Sequence, residues 1–227
     1  MKLVLTTLLA GVSFAVAASP AAATNECRGL TICVPVAGPW VVVAPRTGVE
    51  FQLSCPRGYV VGGLDSELSV REIDVAFRGL NGSPVSPGTT TSSDAVFVAT
   101  YVGAGAAAPS FRPHIGCVPT SGAGGRIPTA LRASPPGKPA VRHVRNVRLA
   151  PGARHVTLGC AANERLVSGS HALGFDTAAP PTAALVDSVT ATRVLRGGRV
   201  VVSVRAGAGA RGARAMVQVS AICAAEQ

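Results

Sequence analysis

Apolar and polar residues alternate with a period of two along most of this chain after its first forty residues. That is the period of a strand with one buried face, because successive side chains point to opposite sides of a sheet. In Val49–Ser54, Val49, Phe51 and Leu53 alternate with Glu50, Gln52 and Ser54. In Val70–Phe77, Ile73, Val75 and Phe77 alternate with Glu72, Asp74 and Ala76. Ala95–Val102 carries Val96, Val98, Thr100 and Val102 on one face. Ala213–Cys223 carries Ala213, Ala215, Val217, Val219, Ala221 and Cys223 on one face, which is therefore the expected core face. Trp40–Ala44, Tyr59–Val61, Phe111–Val118, Val141–Leu149, Val156–Cys160, Leu185–Leu195 and Val200–Arg205 complete the predicted strands. Gly62-Gly63, Asn81-Gly82-Ser83-Pro84, Ser86-Pro87-Gly88 and Arg196-Gly197-Gly198 read as turns, where Gly, Pro and Asn supply backbone angles that strands avoid. No helical period is present beyond the N-terminal apolar run.

The pattern is written twice. Val49-Glu50-Phe51-Gln52-Leu53-Ser54-Cys55-Pro56 has a second copy in His155-Val156-Thr157-Leu158-Gly159-Cys160-Ala161. An Ala-Pro pair precedes each copy, a Val-Gly-Gly or Val-Ser-Gly sequence follows, and each closes far downstream on a second cysteine. Pro45 to Pro151 is an offset of 106, Cys55 to Cys160 of 105, and Cys117 to Cys223 of 106. Several landmarks at one offset predict an internal duplication. The expected fold is all-β: two tandem, internally duplicated β-sandwich modules, each with one intramodule disulfide.

Residues 1–23 read as a signal peptide, with Lys2, an apolar run from Leu3 to Ala18 and small residues Ala21-Ala22-Ala23. The apolar run is shorter than the ~20 residues of a spanning helix, so no transmembrane segment is expected in the mature chain. Residues 24–39 form a Cys-stapled N-terminal segment, 40–118 module 1, 119–139 a linker rich in Gly, Pro and Ser, and 140–227 module 2. Six cysteines in an exported chain read as three disulfides. A duplicated module must carry its own bridge, which pairs Cys55 with Cys117 and Cys160 with Cys223 and leaves Cys27 to Cys33.

Each module resembles a family of exported modules from high-GC Gram-positive bacteria, whose pattern is a strand, Cys-Pro-x-Gly, a Gly-Gly turn, further strands and a closing Cys-Ala. Copy one shows Cys55-Pro56-Arg57-Gly58 and Val61-Gly62-Gly63; copy two shows Ser220-Ala221-Ile222-Cys223-Ala224. Copy two departs at Cys160-Ala161-Ala162-Asn163. The resemblance implies export and a disulfide-bridged β-fold. It brings no catalytic residue with it.

Composition changes the picture in two ways. Aromatics make up only 4%, which argues against the stacking platforms of carbohydrate and single-stranded nucleic-acid sites. Charge is uneven: Thr24–Gly125 has six Arg against seven acids, whereas Arg126–Gln227 has fourteen Lys or Arg against four acids. A basic half suggests an anionic partner. The candidate polyanion-binding residues are Arg142, Arg145, Arg148, Arg154, Arg193, Arg196, Arg199, Arg205, Arg211 and Arg214, expected on one surface. Asp65, Glu67, Glu72 and Asp74 are the densest acidic group but read as a solvated strand face, since the calcium-loop pattern is missing. Ser170-His171 with Asp176 or Asp187 reads as a chance triple, without a Gly-x-Ser-x-Gly elbow. Gly103-Ala104-Gly105 and Gly207-Ala208-Gly209 read as strand connections. No catalytic residue, metal ligand or cofactor is assigned. The sequence thus predicts a secreted, extracellular or cell-wall-associated, non-enzymatic binding or structural protein. Its expected partner is an anionic cell-wall polymer or another extracellular protein, with no nucleic acid. The alternative is a secreted inhibitor that presents the loop from Asn81 to Ser92 to an extracellular enzyme.

Overall fold

The computed structural model describes residues 24–30, 32–78, 92–105, 108–120 and 140–225. The chain is mostly β, arranged as one seven-stranded and two three-stranded antiparallel sheets. The strands are β1 (Val34–Ala37), β2 (Trp40–Val42), β3 (Val49–Ser54), β4 (Tyr59–Leu68), β5 (Ile73–Arg78), β6 (Asp94–Tyr101) and β7 (Ser110–Pro119), followed by β8 (Val141–Arg148), β9 (Gly152–Gly159), β10 (Glu164–Phe175), β11 (Val189–Arg196), β12 (Arg199–Ala206) and β13 (Met216–Ala225). Two short helices, α1 (Ala183–Asp187) and α2 (Gly209–Gly212), interrupt the second part. The large sheet runs β1-β7-β2-β10-β13-β8, with β4 on the other side of β7. The small sheets run β3-β6-β5 and β11-β12-β9.

Two hydrophobic cores lie on opposite faces of the large sheet, and the alternation of side chains puts them there. On β2, Val41 belongs to the core under β3-β6-β5, while its neighbour Val42 packs against the core under β11-β12-β9. On β10, Ala172 and Leu173 divide in the same way. The first core is built on Phe51, Phe97, Phe111 and Ile115, with Phe77 edge-on to Phe97 at 5.3 Å. The second has Phe175 and Leu149 and otherwise mostly valines and alanines, including Val200, Val202, Val204, Val217, Val219 and Ala221. The expected core face of Ala213–Cys223 is buried, and Gln218 and Ser220 on its other face are buried too. Each core is crossed by a disulfide, Cys55–Cys117 and Cys160–Cys223, and Cys27–Cys33 closes the N-terminal loop. Bridges closing about 60 residues stabilise by roughly 4 kcal/mol in the chain-entropy account.

Several local expectations change. Gly62-Gly63 is not a turn; β4 runs through it with a register step between Val61 and Gly63. β10 likewise runs through Val167-Ser168-Gly169, with a step between Leu166 and Ser168. A bulge, not a reversal, absorbs the extra residue. The stapled N-terminal segment contributes β1, which pairs with β7 from Val34↔Cys117 to Ala37↔His114. Leu185–Leu195 is not one strand: its start is the helical turn α1, where the Thr182 hydroxyl accepts from the Leu185 N–H as a cap. The stretch after Gly207-Ala208 is the single turn α2. The loop from Asn81 and the linker 121–139 lie outside the described residues.

The two cores are joined by a short strand pairing and by polar contacts. β10 pairs with β2 at Gly174↔Val41 and Phe175↔Trp40. Beyond it, the free edge of β3 sits on the large sheet. There the Gln218 side chain, fully buried, accepts from the Gln52 backbone N–H at 2.6 Å and donates to the Gln52 carbonyl at 2.9 Å. It also donates to Asn146 Oδ1 at 2.9 Å. Arg142, with 3% of its side chain exposed, pairs with Glu50 at 2.8 Å and donates to Ser220 Oγ.

Candidate functional site

The ten candidate arginines do not form one surface. Arg142 is a buried strut between the two cores. Arg214 is the ion-pair partner of Asp176 at the corner before β13, and its φ of 45° is in the left-handed region. Arg193 lies on the core side of its sheet and donates to the Gly169 carbonyl. Like Arg193 and Arg214, the remaining seven are exposed. They fall into two groups and one outlier, Arg211 in α2.

The first group is the outward face of β11-β12-β9. Val200, Val202 and Val204 are buried, so the alternate residues Arg199, Val201, Ser203 and Arg205 face out. The register then fixes four rows across the sheet: Arg196–Arg199–Gly159, Val194–Val201–Thr157, Thr192–Ser203–His155 and Thr190–Arg205–Ala153. The result is a strip with cations at both ends and hydroxyls between them. Arg199 and Arg205 are six residues apart, roughly 20 Å along an extended strand. His155 Nδ1 lies 3.0 Å from Ser203 Oγ. Arg196 and Arg199 are direct cross-strand partners, flanking a two-residue turn in which Gly197 and Gly198 both have positive φ. Positive φ at both positions is what a tight twisted hairpin needs. Like charges placed directly opposite destabilise a hairpin. Val194 and Leu195 beside them are also exposed, at 59% and 49%.

The second group is Arg145, Arg148 and Arg154, where β8 passes β9. Arg154 donates to the Arg148 carbonyl at 3.2 Å and Arg145 to the Thr157 carbonyl at 3.4 Å. These bonds hold the side chains over the strand edges without neutralising them. Among the described residues, Arg214 and Arg142 are the candidates with an acidic partner within ion-pair distance.

Two open clefts are present, and Arg148 of the second group lines one of them. One is lined by Asn146, Arg148, Asp176, Arg214 and Met216 and closed by Gly38-Pro39 from the N-terminal part. The other lies between Thr47 and Val49 on one side and His171 and Arg193 on the other. Burial, and secondarily the Arg193 guanidinium, hold the His171 imidazole below its ordinary pKa.

Other ionisable groups cluster elsewhere. His114 is buried between Glu26 at 3.8 Å and Glu67 at 3.5 Å. His143 Nε2 lies 2.8 Å from Glu164 Oε2, and these two with Cys223 bring ligand atoms within 4.8 Å of one another. The Ala161 N–H and then His143 hold the Glu164 carboxyl below its ordinary pKa. Spacing along the sequence gave no sign of this meeting, because β8, β10 and β13 bring it about. The acidic group is split: Asp65 accepts from the Asn25 N–H, Glu67 faces His114, and Asp74 is on β5 opposite Thr100. The paper triad is split too. Ser170 and His171 are successive residues of a strand and point to opposite faces, with Ser170 Oγ 2.6 Å from Ser220 Oγ.

Among the described residues no helix is long and apolar enough to cross a membrane. Three disulfides with no free cysteine belong to an oxidising compartment. Compared with protein-family models, curated proteins and solved structures, the chain matches none.

Proposed function

We propose that the chain is an exported, non-enzymatic binding protein made of two tandem copies of one β-sandwich module, and that the second copy holds an anionic surface polymer. Support for the duplication is topological. The order β3-β6-β5 is matched by β9-β12-β11, and the pair β4-β7 by β10-β13. Register steps recur at Val61/Gly63 and Leu166/Ser168. The signal-like N-terminus and the disulfides support export.

The polymer reading rests on one observation. Arg196 and Arg199 face each other on an exposed hairpin, with no acid to offset them among the described residues. A neighbouring polyanion turns that mutual repulsion into attraction. Arg205 at the far end of the strip and the Arg145–Arg148–Arg154 group give an extended anion further points of contact. The aromatic-poor face and the two separated clusters suit a flexible polymer of repeating negative charge, held by electrostatics, better than a sugar stacked on rings.

The test is co-sedimentation with purified Gram-positive cell walls across a salt series, with teichoic acid present or stripped. Binding that fades with salt and with stripping, and weakens in Arg196→Ser/Arg199→Ser, is the expected result, because exposed charge pairs are screened within about 10 Å at 0.1 M salt. Binding that is absent at low salt, or unchanged in the double variant, removes the proposal.

A further inference from the structure

We infer that the second disulfide masks a zinc site: on two-electron reduction, Cys160 and Cys223 together with His143 and Glu164 form a four-donor centre for one zinc ion. Three of these donors already converge, with ligand atoms within 4.8 Å of one another, and the fourth, Cys160, is bonded to Cys223. A tetrahedral zinc with bonds of 2.0–2.3 Å spaces its ligand atoms roughly 3.3–3.8 Å apart. His143 Nε2 and Glu164 Oε2 are 2.8 Å apart, so these two must part slightly, and the two sulfurs, released from their bond, must separate to roughly 3.8 Å for the metal to seat. Two thiolates, an imidazole and a carboxylate are a zinc donor set.

The two halves of the chain provide an internal contrast. In the first half, Val36 pairs with Ile115 two residues before the bridge cysteine, as His143 pairs with Ala221 in the second. Tyr59 opens β4 four residues after Cys55, as Glu164 opens β10 four residues after Cys160. The Cys55–Cys117 bridge therefore has Val36 and Tyr59 where the other has His143 and Glu164. The place where the second copy departs from Cys-Pro-x-Gly is the segment that delivers Glu164. The Ala161 N–H fixes its carboxylate at 3.0 Å.

The chemistry balances with a dithiol of the thioredoxin class as reductant. The dithiol gives two electrons and two protons to the Cys160–Cys223 bond and leaves as its own disulfide. Zinc then displaces the two thiol protons to solvent, and His143 and Glu164 complete the shell. The metal would tie β8, β10 and β13 to the end of β9, replacing a covalent staple with a coordinate one.

The experiment uses the purified protein, reduced with a phosphine and titrated anaerobically with Co²⁺ as a spectroscopic stand-in for zinc. One equivalent of Co²⁺ is expected, with a thiolate charge-transfer band in the near ultraviolet and intense tetrahedral bands in the visible. Oxidised protein should give neither. His143→Gln and Glu164→Gln should each weaken binding by about 10-fold or more, while Tyr59→Phe should leave it unchanged. Circular dichroism follows the fold alongside, so that a reduced chain that regains structure on metal addition also counts in favour. No thiolate band, a band indifferent to both His143→Gln and Glu164→Gln, or two equivalents bound per chain would each overturn the assignment.

Discussion

Gln218 on β13 hydrogen-bonds both backbone groups of Gln52 on β3, so one side-chain amide stands in for a neighbouring strand. It does so across 166 residues and between the two cores. An edge strand leaves a row of unpaired N–H and C=O groups, and burial makes each one expensive to leave unmatched. Asn146 satisfies the second amide proton of Gln218, so the buried amide is held in one orientation.

Gln218→Ala therefore strips two backbone groups and Asn146 of their partner at once. We expect it to lower unfolding stability by about 2–4 kcal/mol, from one to a few kcal/mol for each buried group left unpaired. Urea denaturation measures this directly. An unfolding free energy within about 0.5 kcal/mol of the parent would mean that water replaces the amide without loss.

Arg142 and Glu50 make a different prediction from the exposed arginines. Arg142 is 3% exposed and Glu50 26%, so the cation is the group that suffers when left alone. Removing one partner of a buried pair costs about 3–5 kcal/mol, whereas an apolar replacement of the buried member is often tolerated. Glu50→Ala should destabilise more than Arg142→Met. Neither should weaken polymer binding, while Arg145→Ser/Arg148→Ser should weaken binding and leave the denaturation midpoint nearly unchanged. An Arg142→Met protein that is fully stable yet fails to bind walls would place this residue back among the surface arginines.

His171 gives the chain a pH-dependent element. Burial and Arg193 depress its folded pKa below the ordinary value near 6.5. Between the folded and unfolded values the unfolded chain binds more protons, so stability rises with pH across that window. Its contribution is complete above about pH 6.5 and falls away as pH drops through the folded pKa. His171→Gln should flatten the dependence of the denaturation midpoint between about pH 5 and 7. Arg193→Gln should raise the His171 titration midpoint, leaving burial as the remaining cause. A ring that titrates at or above 6.5 by NMR would contradict both.

The alternation in Val49–Ser54 and Ala213–Cys223 showed strands and core face directly, because period two leaves little choice when one face is buried. The two long disulfides followed from the repeated cysteine spacing, and Cys27–Cys33 from the two cysteines left over. What stayed hidden depends on partners distant in sequence. Gln52 and Gln218 fall on the polar side of their alternations, yet the packing of one core against the other buries Gln218. Arg142 belonged to a regular Val/Arg pattern on β8, and nothing local separates it from Arg145. Two glycines usually signal a reversal, whereas Gly62-Gly63 lies within β4 and admits another chain segment. The meeting of His143, Glu164 and Cys223 required three strands in register, which no spacing rule on a single segment conveys.

That admitted segment yields the last prediction. Gly63 and Gly116 are cross-strand partners, and the Glu26 carbonyl lies over both. A Cβ on Gly63 would sit 1.8 Å from that oxygen, and one on Gly116 2.1 Å away. The contact is backbone against backbone, so no side-chain rotation relieves it. Gly63→Ala must lift the residues around Cys27–Cys33 off the sheet or shift β4. The first is the easier movement, because that loop is tied down locally by the Asn25 N–H on Asp65 and by Glu26 beside His114. We expect a cost of about 1–3 kcal/mol, typical of overpacking, and faster reduction of Cys27–Cys33 by a mild thiol, with the two long bridges unaffected. Gly116→Ala should do the same, and the double variant should add little, since one displacement relieves both clashes. Equal reduction rates in parent and variants, measured by mass spectrometry of alkylated peptides, would show that the loop stays seated and that the strands moved instead.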